Sequence, residues 1–330
     1  NNELQFYTDR PENVRVGDDG EGNSCLILTA RRENYGGKNF TSGRLNTLNF
    51  VTFTHGKIEA SIKLPPTNAG LWPAFWMMGN DWSQVGWPKC GETDILEMGH
   101  SEGIKNGTSD RFFNGACHWG PGWPNASHAQ NSTKTYSLQD GEFHLFTLIW
   151  DEDSYRMYVD LDKYPVQTPY FRMDIKQNDP GNEWNAGNYF HKDNFIIFNL
   201  AVGGNFPGIH NESGITALND ANGHQASMYV NYVKVYQREN GQGDTFFSAV
   251  PSDEIDNSGN SSVEESFAVE SLNFDGYSVN SSTPADIKVF NAGGLCVAKA
   301  SAATSLNLSG LHPGLYIATG NNSTIKIIIK

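Results

Sequence analysis

The sequence predicts an all-β protein, a sandwich or a barrel, and three observations carry that reading. Short runs rich in Val, Ile, Phe, Tyr and Thr recur along the chain, as in FVTFTHGKIEASIKL, FHLFTLIWDEDSYRMYVD and FIIFNLAVGG. Turn formers separate them, and the 330 residues include 34 Gly and 14 Pro. Long helical periodicity is scarce, so many short strands with frequent turns are the simplest account. A chain of this length can form one large domain and a small one.

Taken in order, residues 1–238 share one aromatic-rich, Gly-punctuated texture and form the first domain. Within it, strand parity places Trp72, Ala74 and Trp76 of LWPAFWMMGN on one face. The stretch GETDILEMGH, flanked by Gly91 and Gly99, reads as a short strand. As a helix, its Ile95, Leu96 and Met98 would form no apolar stripe. His118-Trp119-Gly120 is expected on a strand that pairs with it. Residues 239–262 are rich in Ser, Asn, Gly, Asp and Glu and read as a linker. Residues 263–330 carry ADIKVFN, GLCVAKA, GLYIATG and STIKIIIK, the strands of a small β-sandwich.

The acids of the short strand pose a geometric problem. In a regular strand Glu92 and Asp94 share a face, while Glu97 points the other way, into the core, as an unpaired acid. One extra residue, Ile95 or Leu96, taken up in a β-bulge returns Glu97 to the face of the other two. Three convergent carboxyls raise one another's pKa values. Split pairs of that kind serve glycoside hydrolysis, with one ionised nucleophile and one protonated acid. The same spacing also suits a solvated acidic face or a calcium site.

Charge and cysteines narrow the classes. The formal net charge is −14, with no Lys/Arg cluster, which argues against nucleic acid and against a polyanionic substrate. A neutral polysaccharide fits, although simple solubility explains the charge equally well. No apolar run reaches the roughly 18 residues that a membrane span needs. Cys25, Cys90, Cys117 and Cys296 show no zinc-site spacing. Cys25 and Cys296 are expected as buried small apolar groups. Cys90 and Cys117 could neighbour each other on adjacent strands, as a disulfide or as thiols.

The run LWPAFWMMGN followed by WPKCGETDILEMGH closely resembles the signature of glycoside hydrolase family 16, in the β-bulge branch that holds laminarinases. NNELQFYTDRPENV, FTSGRL, GKIEASIKLP, ACHWG and FNLAVGGNFPG agree with it, and the resemblance covers residues 1–238. It implies a jelly roll of two curved antiparallel sheets with an open cleft across the concave one. It also implies a retaining mechanism with Glu92 as nucleophile, Asp94 as assisting acid and Glu97 as acid/base. Trp72 and Trp87 match sugar platforms near the cleavage point, and His118 matches a cleft histidine beside the acid/base. Trp76, Trp119 and Trp123 belong to the same tryptophan cluster, and Arg44 and Asn2 match substrate-contacting positions.

The implied substrate is β-1,3-glucan, with mixed-linkage β-1,3-1,4-glucan as an extension. Alternatives are a mixed-linkage-specific lichenase, an agarase-type enzyme or a non-catalytic β-glucan-binding protein on the same fold. No cofactor is needed for such catalysis, and a structural calcium ion on the convex side is the metal the resemblance implies. Family members usually carry a further strand ahead of NELQ, which this chain lacks. Its absence bears on that calcium and leaves an edge strand unpaired. The stretch from Ala285 to Lys330 resembles a type IX secretion sorting domain, which implies a secreted or cell-surface bacterial protein that meets that secretion machinery.

Overall fold

The structure, a computed structural model, describes residues 1–237, 272–275, 277–291, 296–312, 314–320 and 323–329. The chain divides into two compact units, Asn1–Asn257 and Ser258–Lys330. The expected linker, 239–262, lies outside the described residues.

In chain order the first unit contains β1 (Gln5–Tyr7), β2 (Val14–Asp18), β3 (Ser24–Tyr35), β4 (Lys38–Ser42), β5 (Arg44–Asn46), β6 (Gly56–Lys63) and β7 (Leu71–Gly79). It continues with β8 (Glu92–Met98), β9 (Phe112–Trp119), β10 (Ala126–Thr133), β11 (His144–Trp150), β12 (Ser154–Val159), β13 (Phe171–Asp174), β14 (Asn194–Val202) and β15 (Gln225–Tyr236). Short helices follow β7 and β8, α1 (Trp82–Val85) and α2 (Ser101–Lys105).

Two sheets result. One has nine strands in the order β1-β4-β3-β15-β6-β11-β12-β13, with β2 also on β3. The other has six, β10-β9-β8-β7-β14-β5. Pairing is antiparallel except between β1 and β4, which run parallel.

Alternation explains how the sheets stack. Ile58, Ala60 and Ile62 of β6 and Phe146, Leu148 and Trp150 of β11 are fully buried from one sheet. Phe75 and Met77 of β7 and Phe113 and Cys117 of β9 meet them from the other. A buried indole needs a partner, and Trp150 Nε1 donates to Phe190 O at 3.0 Å. This core sets the register of β7, β8 and β9. A one-residue slip would exchange every inward side chain for an outward one.

The expected bulge is present. Opposite β7, Leu96 pairs with Phe75 and Asp94 with Trp76, so Ile95 is the extra residue. Opposite β9, Asp94 faces Ala116 and Glu97 faces Asn114. Ile95 and Leu96 are both fully buried. A bulge leaves backbone groups outside the ladder, and the Tyr170 hydroxyl donates to Ile95 O.

One expectation changes, and the open question of Cys90 and Cys117 closes. Cys296 is exposed, because it opens a strand of the second unit on the side away from that unit's core. Cys90 and Cys117 are free buried thiols in separate apolar clusters, Cys90 with Met78, Phe195 and Ile197, and Cys117 in the main core. The second unit comprises β16 (Leu272–Phe274), β17 (Ser278–Asn291), β18 (Cys296–Asn307), β19 (Gly314–Gly320) and β20 (Ser323–Ile329) in one antiparallel sheet. Register shifts along the long β17 let that sheet bend over its own core of Val279, Ile287, Val289, Ala318 and Ile327.

Candidate active site

The outward face of the six-stranded sheet is the reverse of the core, and its side chains follow from parity. β7 contributes Trp72, Ala74 and Trp76, as expected from the sequence, and β8 contributes Glu92, Asp94 and Glu97. Asn199 of β14, Arg44 of β5 and the segment Asn1–Tyr7 complete the hollow. On β9, Asn114, Ala116 and His118 alternate with the core residues Phe113 and Cys117.

Each outer acid holds an indole. Trp87 Nε1, from the connection between α1 and β8, donates to Glu92 Oε2 at 3.0 Å. Trp72 Nε1 donates to Glu97 Oε1 at 3.1 Å. Asn114 Nδ2 gives Glu97 Oε2 a second donor at 3.0 Å, placed there because Glu97 and Asn114 are cross-strand partners. Asp94, between the two, is buried, and its Oδ2 has no hydrogen-bond partner. His118 Nε2 lies 3.6 Å from that oxygen, and Asn125 Nδ2 contacts the other ring nitrogen at 3.0 Å.

Burial dominates the protonation of this group. It pushes Glu92 up to about 7, against the pull of the Trp87 N–H and the Arg44 charge. It also raises Glu97 to about 7, with the Glu92 charge adding to the rise and Asn114 and Trp72 opposing it. Burial and both glutamates drive Asp94 well above the ordinary carboxylate range. The three titrate as one coupled unit. Arg44 acts on Glu92 alone, and the Glu92 charge in turn favours the protonated form of Glu97. Burial lowers His118, which is therefore a neutral imidazole near pH 7.

The remaining sequence-predicted residues divide. Trp76 Nε1 donates to Asn199 Oδ1 at 2.7 Å, and the Arg44 guanidinium lies 4.8 Å over its ring. Asn2 donates its side chain to Asn205 Oδ1 at 3.0 Å, while its neighbours Asn1 and Glu3 line the hollow. Trp119 is on the opposite face of β9 from His118. It packs edge-on against Phe190 and donates to Trp184 O at 2.8 Å. Adjacent strand residues cannot share a face, so only His118 joins the cluster. Four residues of this region were not anticipated: Asn114, Asn199, Glu3 and Tyr7. Glu3 accepts from the Tyr7 hydroxyl at 3.2 Å.

Calcium takes six to eight oxygen ligands. Among the described residues one set of three metal-ligating side chains converges, Glu92, Asp94 and His118, within 4.8 Å of one another. One ring nitrogen and two carboxyls fall short of the oxygen set that calcium takes. In the acidic turn ahead of β3, Lys63 Nζ already sits 2.9 Å from Asp19 and 3.2 Å from Glu21. Its ammonium holds Asp19 well below the usual range.

Two carboxyls on one face, walled by indoles in a groove across a β-sandwich, are the equipment of a glycoside hydrolase. Comparison with known proteins takes this to family level. Residues 3–177 match the model of the glycosyl hydrolases family 16. A glucan endo-1,3-beta-glucosidase of Cryptopygus antarcticus is 36% identical over 216 residues, 63% of this chain and 72% of the relative. A beta-glucanase of Rhodothermus marinus is 32% identical over 249 residues, 72% of this chain and 75% of the relative. Against the clotting factor G alpha subunit of Tachypleus tridentatus, 32% identical over 237 residues, the chain spans only 30% of the relative's length. Among solved structures, a mixed linkage glucan family 16 protein of Bacteroides ovatus with bound product is 42% identical. It covers 71% of this chain and 89% of its own, with a TM-score of 0.61. The laminarinase catalytic domain of Thermotoga maritima is 33% identical, covers 73% and 85%, and has a TM-score of 0.56. The chain belongs to glycosyl hydrolase family 16.

Proposed function

We propose that the protein is a retaining endo-hydrolase of β-1,3-glucan that also cuts mixed-linkage β-1,3-1,4-glucan. The observation that carries this reading is the bulge at Ile95, which sets Glu92 and Glu97 on one face around a buried Asp94. The Glu92 carboxylate attacks the anomeric carbon, and Glu97 gives its proton to the departing glycosidic oxygen. The C–O bond to the leaving sugar breaks as the bond to Glu92 forms. Glu97, now a carboxylate, takes a proton from water, whose oxygen displaces Glu92 and restores the starting configuration. Asp94, kept protonated by its burial, separates the glutamates without adding a third charge.

The likeness to the Bacteroides ovatus protein supports a second reading, specificity for mixed-linkage glucan. Product analysis on laminarin, barley mixed-linkage glucan and agarose in parallel separates the two. Short oligosaccharides from laminarin support the first reading, and cleavage of barley glucan alone supports the second. Proton NMR of the newly formed reducing end should show the β anomer first. Glu92→Gln and Glu97→Gln should each lose nearly all turnover while still binding glucan. Normal turnover in either would overturn the assignment, and a wild-type chain that binds glucan without cutting it would be a recognition protein.

We infer from the sequence of the second unit that the protein is secreted or held at a bacterial cell surface, with this unit addressing the type IX machinery. Support comes from that unit's separate, compact fold. A reporter fused to residues 258–330 should leave a bacterium that has this machinery and stay inside a mutant that lacks it.

A further inference from the structure

Trp123 stands 79% exposed in the connection between β9 and β10, the most exposed tryptophan of the described chain. A large aromatic left in water forgoes the burial that usually holds it in place. The loop that carries it is nonetheless fixed at both ends. At its start Trp119 Nε1 bonds Trp184 O at 2.8 Å. The next residue, Gly120, has φ +132, and a Cβ there would lie 2.9 Å from the Trp184 ring. At its end Asn125 contacts His118 Nδ1 at 3.0 Å. The loop that presents Trp123 is thus tied at both ends.

The loop adjoins the site. The Trp123 and Trp87 rings lie 6.2 Å apart with planes inclined by 30°, and Trp87, 43% exposed, bonds Glu92. The two indoles form a shallow step with open faces. Because the sheet runs β10-β9-β8-β7-β14-β5, this step lies toward one edge of the groove and Arg44 toward the other. A polysaccharide crossing the strands over Glu92 and Glu97 would run from Arg44 onto Trp87 and then Trp123. The apolar face of a sugar ring stacks on an indole, and that contact tolerates either linkage type.

We propose that Trp123 extends the groove by one sugar-binding position beyond Trp87 and sets the preference for long chains over short ones. The proposal rests on the glucanase reading above. The test measures steady-state hydrolysis by the full chain, wild type, Trp123→Ala and Trp123→Phe, on polymeric laminarin, barley glucan and oligosaccharides of increasing length. Fluorescence titration with the same sugars is run alongside. For Trp123→Ala, KM on polymer should rise roughly tenfold while kcat falls far less, as expected for a lost stacking contact. The loss should shrink as the oligosaccharide shortens, and Trp123→Phe should recover most of it. A loss equal at every chain length would make Trp123 a mere support for Trp87 and overturn the proposal, as would no loss. A wild-type chain that neither cuts nor binds any of these sugars would overturn both the proposal and the glucanase reading.

Discussion

Replacing Asn114 by alanine should move the alkaline limb of the pH–activity profile upward by about one unit. Asn114 Nδ2 supplies one of two hydrogen bonds to Glu97, at 3.0 Å, and its own Oδ1 has no partner. The substitution therefore removes that donor and disturbs no other polar contact. A hydrogen bond to a carboxylate is worth about 1.5–3 kcal/mol. One pKa unit corresponds to roughly 1.4 kcal/mol, so complete loss would raise Glu97 by roughly one to two units. Water entering the vacated space returns part of this, which leaves about one. Glu97 already stands near 7, and it must be protonated to serve the leaving oxygen, so a higher pKa carries activity to higher pH. The acid limb follows ionisation of Glu92, whose hydrogen-bond donor is Trp87, and should move less than the alkaline limb. The assay is kcat/KM on laminarin from about pH 5 to pH 10 for both proteins. An unmoved or lowered alkaline limb would refute the assignment of Glu97 as the acid.

Deleting Ile95 would leave Glu92, Asp94 and Glu97 in plain alternation on one face. Hydrolysis should survive above the Glu97→Gln level, with the unfolding free energy lowered by roughly 2–5 kcal/mol through lost core packing. Activity no higher than that of Glu97→Gln in a folded chain would show that the bulge does more than set the face. Gly99→Ala should destabilise by roughly 3 kcal/mol or more, because φ is +95 there and a Cβ would lie 2.0 Å from Leu71 O; an unchanged urea midpoint would refute this. His144 is buried, with Asp160 at 2.8 Å and Asp140 at 3.2 Å. Burial opposes its charge, but the two aspartates win and raise its pKa. Its contribution is full below the unfolded value of about 6.5 and is lost as pH rises through the higher folded value. The stability advantage of wild type over His144→Gln should therefore shrink as pH rises above about 6.5, and a constant difference would exclude the buried imidazolium.

The legible parts of the site are those that depend on one strand at a time. Trp72, Ala74 and Trp76 share a face because side chains alternate, and that rule needs no partner strand. The acids demanded a bulge for the same reason, since a buried lone Glu97 would be too costly. Trp119 shows the rule neglected: its neighbour His118 faces the groove, so parity alone assigned Trp119 to the other side. Cys296 was misplaced because apolar neighbours in sequence do not say which face of a strand meets the core.

By itself the sequence determined the all-β class, the strand that carries the acids and the need for its bulge, because each follows from local alternation and the cost of burying charge. Tertiary structure alone decided what surrounds the acids. Asn114 reaches Glu97 only through the register of β8 and β9, and Arg44 and Asn199 reach the groove only through β5 and β14. Trp123 reaches Trp87 only through a loop pinned by Trp184 and His118. Such neighbours come together by long-range pairing fixed by the packing of two whole sheets, and the raised pKa values of the acids are a property of that assembled, desolvated face.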